Sequence, residues 1–129
     1  MKRILIDTNI YSHAMRGDHD ITETLKKVET IGISVISIGE LYSAFKAGSR
    51  KLENHTELEF FLDSPRVVLY PVDIITADYY AEILSGLKKA GTPIPTNDIW
   101  IAAAAFQHGL KLFTKDAHFS SVKGLVIFG

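Results

Sequence analysis

The chain has 129 residues, 47% of them hydrophobic and 22% charged, with a formal net charge of −1 and no cysteine. That length fits one domain, residues 1–129, with room for a real core, and the composition is that of a soluble globular protein. Disulfides and thiolate metal sites are excluded, a reducing compartment is consistent with this, and near-neutral charge confines any nucleic-acid contact to local basic patches. The five histidines form no His-x-x-x-His pair or similar metal spacing. Lys2 and Arg3 precede an apolar stretch in the manner of a signal peptide, but Asp7 interrupts it too early for an h-region. The longest apolar run, Ile99 to Phe106, is too short to span a bilayer. A cytoplasmic protein without membrane association is expected.

Strand-like and helix-like segments alternate along the chain. Arg3 to Ile6 reads as a buried strand, followed by a helix through Ile10, Tyr11 and Ala14 that stops near Gly17. Asp20 with Glu23 forms a capping-box pattern for a helix over Ile21 to Glu29. Ile33 to Ser37 is rich in β-formers and predicts a second strand, after which Leu41, Ala44, Phe45 and Gly48 share a helical face. Leu52 to Leu62 predicts another helix, ended by Ser64-Pro65.

Val67 to Val72 predicts a third strand. Thr76 to Lys89 predicts a helix with Tyr79, Ile83 and Leu87 in one stripe and Gly91 beyond its end. Thr92-Pro93-Ile94-Pro95 is an extended connector. Asp98 to His108 predicts a helix whose alanines, Ala102 to Ala105, permit close packing on a sheet, stopped by Gly109. Lys111 to Thr114 and Leu125 to Phe128 supply the last strands. Such alternation predicts an α/β fold with a central parallel sheet covered on both faces.

Four carboxylates each stand where a short apolar strand is expected to hand over to a turn or helix: Asp7, Glu40, Asp98 and Asp116. In a parallel sheet the carboxyl ends of the strands form the ligand crevice. Acids gathered there repel one another unless a cation lies between them, which points to a hard divalent ion and phosphate chemistry. Each acid also has an ordinary explanation. Asp7 would cap the first helix, and Ser37-Ile38-Gly39-Glu40 is itself a capping box. Asp98 suits a first helical turn, and Asp116 a turn. Asp73 obeys the same positional rule and is read as a cap, so the rule alone does not decide. The joint pattern does more, because three of the acids lie in the polar clusters Asp7-Thr8-Asn9, Thr96-Asn97-Asp98 and Thr114-Lys115-Asp116.

The segments Ile4-Leu5-Ile6-Asp7-Thr8-Asn9, Ser37-Ile38-Gly39-Glu40-Leu41, Asn97-Asp98-Ile99-Trp100-Ile101-Ala102-Ala103 and Leu112-Phe113-Thr114-Lys115-Asp116-Ala117-His118-Phe119 occur in the order found in PIN-domain nucleases. The chain resembles that family over essentially its whole length, and in particular the VapC toxins of toxin–antitoxin pairs. The resemblance implies a three-layer PIN-like fold, with Asp7, Glu40, Asp98 and Asp116 as the metal-binding acids. Thr114 matches a supporting hydroxyl position, and Asn9 a variable polar one.

The resemblance further implies a Mg²⁺- or Mn²⁺-dependent endoribonuclease. Asp7 and Asp98 are expected to touch metal, with Glu40 and Asp116 acting through water. A homodimer held inactive by a VapB-like antitoxin is also implied. Arg16, Lys46, Arg50, Lys51 and Lys115 are candidate RNA contacts on charged faces, and Tyr11 and Tyr42 are candidate stacking residues that fit an apolar packing role better. His13 and His118 lie near the motifs without an assigned role. Two rival readings stay open: an inactive PIN-fold RNA-binding or interaction module, and a phosphoacceptor receiver domain using Asp73 and Lys115. The receiver reading leaves Glu40 and Asp98 unexplained.

Overall fold

In the computed structural model, which describes residues 2–129, strand β1 (Arg3–Ile6) runs between two parallel neighbours. β2 (Thr30–Ser34) pairs on one side with Ile6 opposite Ile33, and β4 (Lys111–Phe113) on the other with Ile6 opposite Phe113. β3 (Val67–Tyr70) adds in parallel to β2, giving the order β3-β2-β1-β4. Six helices connect and flank the strands: α1 (Thr8–Met15), α2 (His19–Lys26), α3 (Val35–Ala47), α4 (Lys51–Leu62), α5 (Ile74–Ala90) and α6 (Thr96–His108).

The period-two alternation of strand side chains divides the core into two layers. Ile4 and Ile6 of β1 pack with Ile10, Ile33, Leu41, Phe45 and Leu58 on one face, toward α1–α4. Leu5, between them, packs with Leu87, Ile99, Ile101, Ala102 and Leu112 on the other, under α5 and α6. Ala102 to Ala105 are all buried, so their small side chains let α6 lie close to the sheet, as expected. The result is the three-layer α/β fold with a parallel centre.

Gly32 of β2 has a specific packing reason. A Cβ there would stand 2.6 Å from Cε2 of Tyr70, whose ring lies over Gly32 and packs against His108 at a 31° tilt with centroids 4.2 Å apart. The neighbouring strand thus uses the vacated space for an aromatic clamp on the end of α6.

Several expected boundaries move. The strand expected over Ile33 to Ser37 lies earlier, at Thr30–Ser34: β2 ends at Ser34, whose hydroxyl accepts from the Ile36 N–H at 3.1 Å and starts α3 at Val35. Local capping outweighs the β-propensity of Val35 and Ile36. Ser37 and Glu40 therefore lie inside α3, and the capping box expected between them does not form. α2 is capped by Asp18, which accepts from the Ile21 N–H at 3.1 Å, rather than by Asp20, and it ends at Lys26 rather than Glu29. On α3, Leu41 and Phe45 are buried but Ala44 is exposed. α6 begins at Thr96, so Asp98 sits in its first turn. Leu125 to Phe128 is reduced to one parallel bridge between Leu112 and Ile127, with both ladder hydrogen bonds falling on Leu112. Asp73 caps α5 as expected, in a reciprocal capping box with Thr76.

Candidate metal centre

Asp7 follows the last residue of β1 and caps α1, its Oδ1 accepting from the Ile10 N–H at 2.8 Å. Its other oxygen accepts from the hydroxyl of Thr114, just beyond β4. Both oxygens are thus held, and the residue is 4% exposed. The expected capping role of Asp7 is real, and it coexists with a place in the site.

Glu40 reaches the same cleft from α3, not from a strand end. Thr8 Oγ1 donates to its Oε1 at 2.5 Å and lies 2.8 Å from the buried Ser37 hydroxyl. Asn97 Nδ2 donates to Oε2 at 3.4 Å. Asp98 enters from the first turn of α6. Asp116 caps a 3-10 turn, Ala117–Ser121, through the His118 N–H at 3.3 Å, and its own N–H donates to Thr114 Oγ1 at 2.9 Å.

These four acids line one cleft of about 340 Å³ together with Thr8, Asn9, Asn97 and His118. Segments far apart in sequence meet there because parallel strands deliver their carboxyl ends to one edge and α6 begins at it. His118 bridges two of the acids, with Nε2 2.6 Å from Asp98 Oδ2 and Nδ1 2.8 Å from Asp116 Oδ1. An ionised carboxylate only accepts, so both contacts are hydrogen bonds when both ring nitrogens carry hydrogen or one acid is protonated. Among the described residues, no lysine or arginine pairs with any of the four acids.

The electrostatics follow from this crowding. Burial pushes the Asp7 carboxyl up; hydrogen bonds from Thr114 and Ile10 oppose that, while the charges of Asp116 and Glu40 add to it. Burial likewise pushes Asp98 up, opposed by the hydrogen bond and charge of His118 and reinforced by Glu40 and Asp116. Asp98, Asp116 and His118 can each offer one ligand atom, all within 4.8 Å of one another. A cleft of oxygen donors whose charges disfavour one another fits a hard divalent cation.

Asn9 lines the cleft mouth, exposed in the first turn of α1. Lys115 is exposed between Thr114 and Asp116, beside the site. Arg16 lies at the far end of α1 against His13 at 3.0 Å, and Lys46 is near the end of α3. Arg50 is committed to Glu53 at 3.2 Å, and Lys51 opens α4. Tyr11 is buried edge-on to Phe61 and is a packing residue, whereas Tyr42 is half-exposed and stacked on His55. The receiver arrangement is not built. Asp73 accepts from Gln107 Nε2 at 2.9 Å, which places it near the C-terminal end of α6, opposite Asp98. Spacing does not reveal the contacts of Thr8, Ser37, Asn97 and His118; only the polar company of the motifs hints at them.

Comparison with known proteins bears on this site directly. The PIN domain family model matches residues 4–125. Ribonuclease VapC2 of Rickettsia felis is 28% identical over 128 residues, covering 95% of this chain and 94% of that protein. VapC ribonuclease Y4jK of Sinorhizobium fredii is 30% identical over 133 residues, covering 96% and 94%. The crystal structure of VapBC2 from Rickettsia felis bound to a promoter DNA fragment matches with a TM-score of 0.86 at 27% identity, over 97% of this chain and 96% of its own.

Proposed function

The chain belongs to the PIN domain family, and from that premise we propose that it is the toxin of a type II toxin–antitoxin pair, a divalent-metal-dependent endoribonuclease. The observation that carries this reading is the convergence of Asp7, Glu40, Asp98 and Asp116 in one cleft, with no lysine or arginine among the described residues paired to any of them.

A Mg²⁺ or Mn²⁺ ion bound there would neutralise phosphate charge and ready a water for attack on the phosphodiester. Asp7 and Asp98, the two acids whose charge burial penalises, are the residues to hold it. Glu40, oriented by Thr8 and Asn97, and Asp116, tied to the 3-10 turn, are disposed to position water and ion at the rim. Thr114 keeps the Asp7 carboxylate turned into the cleft. Asn9, which lines the cleft, and exposed Lys115, next to Thr114 and Asp116 in sequence, are the residues we expect to meet RNA phosphate or sugar. Arg16, Lys46 and Arg50 would act only on a strand that extends beyond the cleft.

The relatives' names and the VapBC complex support the wider setting. The partner is a VapB-like antitoxin, whose basic side chain would suit an acidic cleft, and the active form is a homodimer of one PIN domain per chain, residues 1–129. No helix among the described residues is long and apolar enough to cross a membrane. An RNA substrate and an antitoxin partner both suit a cytoplasmic protein.

The test is incubation of the purified protein with total cellular RNA, with Mg²⁺, with Mn²⁺ and with chelator, followed by mapping of new ends. Discrete cuts that need the ion, and that disappear in Asp98→Asn, support the assignment. Metal binding without any cleavage would favour an inactive binding module.

A further inference from the structure

We propose that His118 is itself a ligand of the cation site and makes that site prefer Mn²⁺ over Mg²⁺. This rests on the metal-dependent reading above and specifies the ion.

The imidazole does not merely border the cleft. Its two nitrogens lie 2.6 Å from Asp98 and 2.8 Å from Asp116, the two acids that together with it offer three potential ligand atoms within 4.8 Å of one another. An octahedral ion with bonds of about 2.1 Å separates its ligand atoms by roughly 3 Å when adjacent and roughly 4.2 Å when opposite. Three atoms within 4.8 Å of one another approach that spacing, with the ion taking the place of the hydrogen between ring nitrogen and acid.

The ring is also held for such a role. His118 lies in the short turn capped by Asp116, so its backbone N–H and the Asp116 carboxylate are joined at 3.3 Å. The next residue, Phe119, is 1% exposed and anchors the turn in the core, with its ring 5.0 Å from the imidazole. The His118 side chain is 31% exposed and lines the cleft, so a ring nitrogen that exchanges its contact with an acid for an ion meets that ion there.

Ligand chemistry then sets the preference. Mg²⁺ takes oxygen donors, keeps several waters and has little use for nitrogen, whereas imidazole suits first-row transition ions. A cleft of carboxylates alone would accept Mg²⁺ and Mn²⁺ alike. Replacing one oxygen donor by a ring nitrogen shifts it toward Mn²⁺. The competing role for the ring is that of a spacer, holding two acids together without touching the ion.

The experiment titrates the purified full-length protein, without RNA, with MnCl₂ and separately with MgCl₂ by calorimetry, for wild type, His118→Gln and His118→Ala. Pulsed electron paramagnetic resonance of the Mn²⁺-loaded wild type detects nitrogen bound to the ion, independently of how any variant folds. Wild type is expected to bind Mn²⁺ at least about tenfold more tightly than Mg²⁺, and both variants to lose about tenfold or more in Mn²⁺ affinity with little change for Mg²⁺. Nitrogen coupling should be present in wild type. Absence of that coupling, or variants that weaken both ions in parallel, would make His118 a spacer and overturn the proposal while leaving the nuclease reading intact. Failure of wild type to bind either ion would overturn both.

Discussion

The hydroxyl of Thr114 donates to Oδ2 of Asp7, 107 residues earlier, and so ties the end of β4 to the end of β1. The same hydroxyl oxygen accepts from the Asp116 N–H at 2.9 Å, so one side chain orients two of the four acids. Thr114→Val keeps the shape and removes both contacts. RNA cleavage is expected to fall about 10- to 100-fold, the range found when a partner that orients a metal-binding group is lost. Thr114→Ser restores the hydroxyl and should recover most of the rate. Single-turnover cleavage of a mapped RNA fragment measures both.

Asp7 and Asp98 carry a cost that a cation would offset. Burial holds both carboxyls above the usual aspartate range, so the folded metal-free protein binds protons more readily than the unfolded chain. The stability this linkage gives is fully present below the ordinary aspartate value and is lost as pH rises through the raised folded values. Metal-free wild type should therefore become more stable as pH falls from neutral toward the ordinary aspartate range. Asp7→Asn can still cap α1, since asparagine is as good an N-cap as aspartate. It should melt higher than wild type at neutral pH in chelator, show a flatter pH dependence, and lose cleavage by about 100-fold or more. Thermal melts across that pH interval give the first two outcomes; a variant less stable than wild type at neutral pH would contradict this account of Asp7.

Legibility of the site in the sequence differs residue by residue. Asp7 and Asp98 are readable because each adjoins a buried apolar run whose end places it: Ile4 to Ile6 before one, Ile99 and Ile101 to Ala105 after the other. Glu40 belongs to the expected cleft, but for a different local reason. The β-branched residues Ile33, Val35 and Ile36 suggest a strand ending beside it, yet the Ser34 cap turns the chain into α3 early, and Glu40 arrives from within that helix. Leu125 to Phe128 has the composition of a strand, whereas its pairing reaches only Leu112. The place of His118 is not legible because its bond to Asp98 spans 20 residues, and no motif spacing encodes such a distance.

Asp73 separates cleanly from the site and offers a contrasting pH test. Hydrogen bonds from Thr76, Gln107 and Ile75 hold its carboxyl below the usual aspartate range. Its contribution to stability is present above the ordinary value and is lost as pH falls through the lower folded one, an interval below that governed by Asp7. Asp73→Ala should lower the melting temperature at neutral pH and remove part of the acid sensitivity. Asp73→Asn should keep most of the cap while removing the same acid dependence. RNA cleavage should be unchanged in both, because Asp73 contacts the end of α6 opposite Asp98.

The Gly32 site tests the packing that carries α6. Gly32→Ala places a methyl group 2.6 Å from Tyr70 Cε2 and 3.2 Å from the Ile4 carbonyl oxygen. The ring has to swing away, and it cannot do so freely because its other face lies against His108. Overpacking of this kind costs roughly 1–3 kcal/mol, read as a lower denaturant midpoint at unchanged slope. Tyr70→Ala removes the ring and leaves a void of its own. In the double variant the added methyl has space, so the combined loss should be clearly smaller than the sum of the two single losses. Simple additivity would mean that the methyl clashes with the backbone of β1 rather than with the Tyr70 ring.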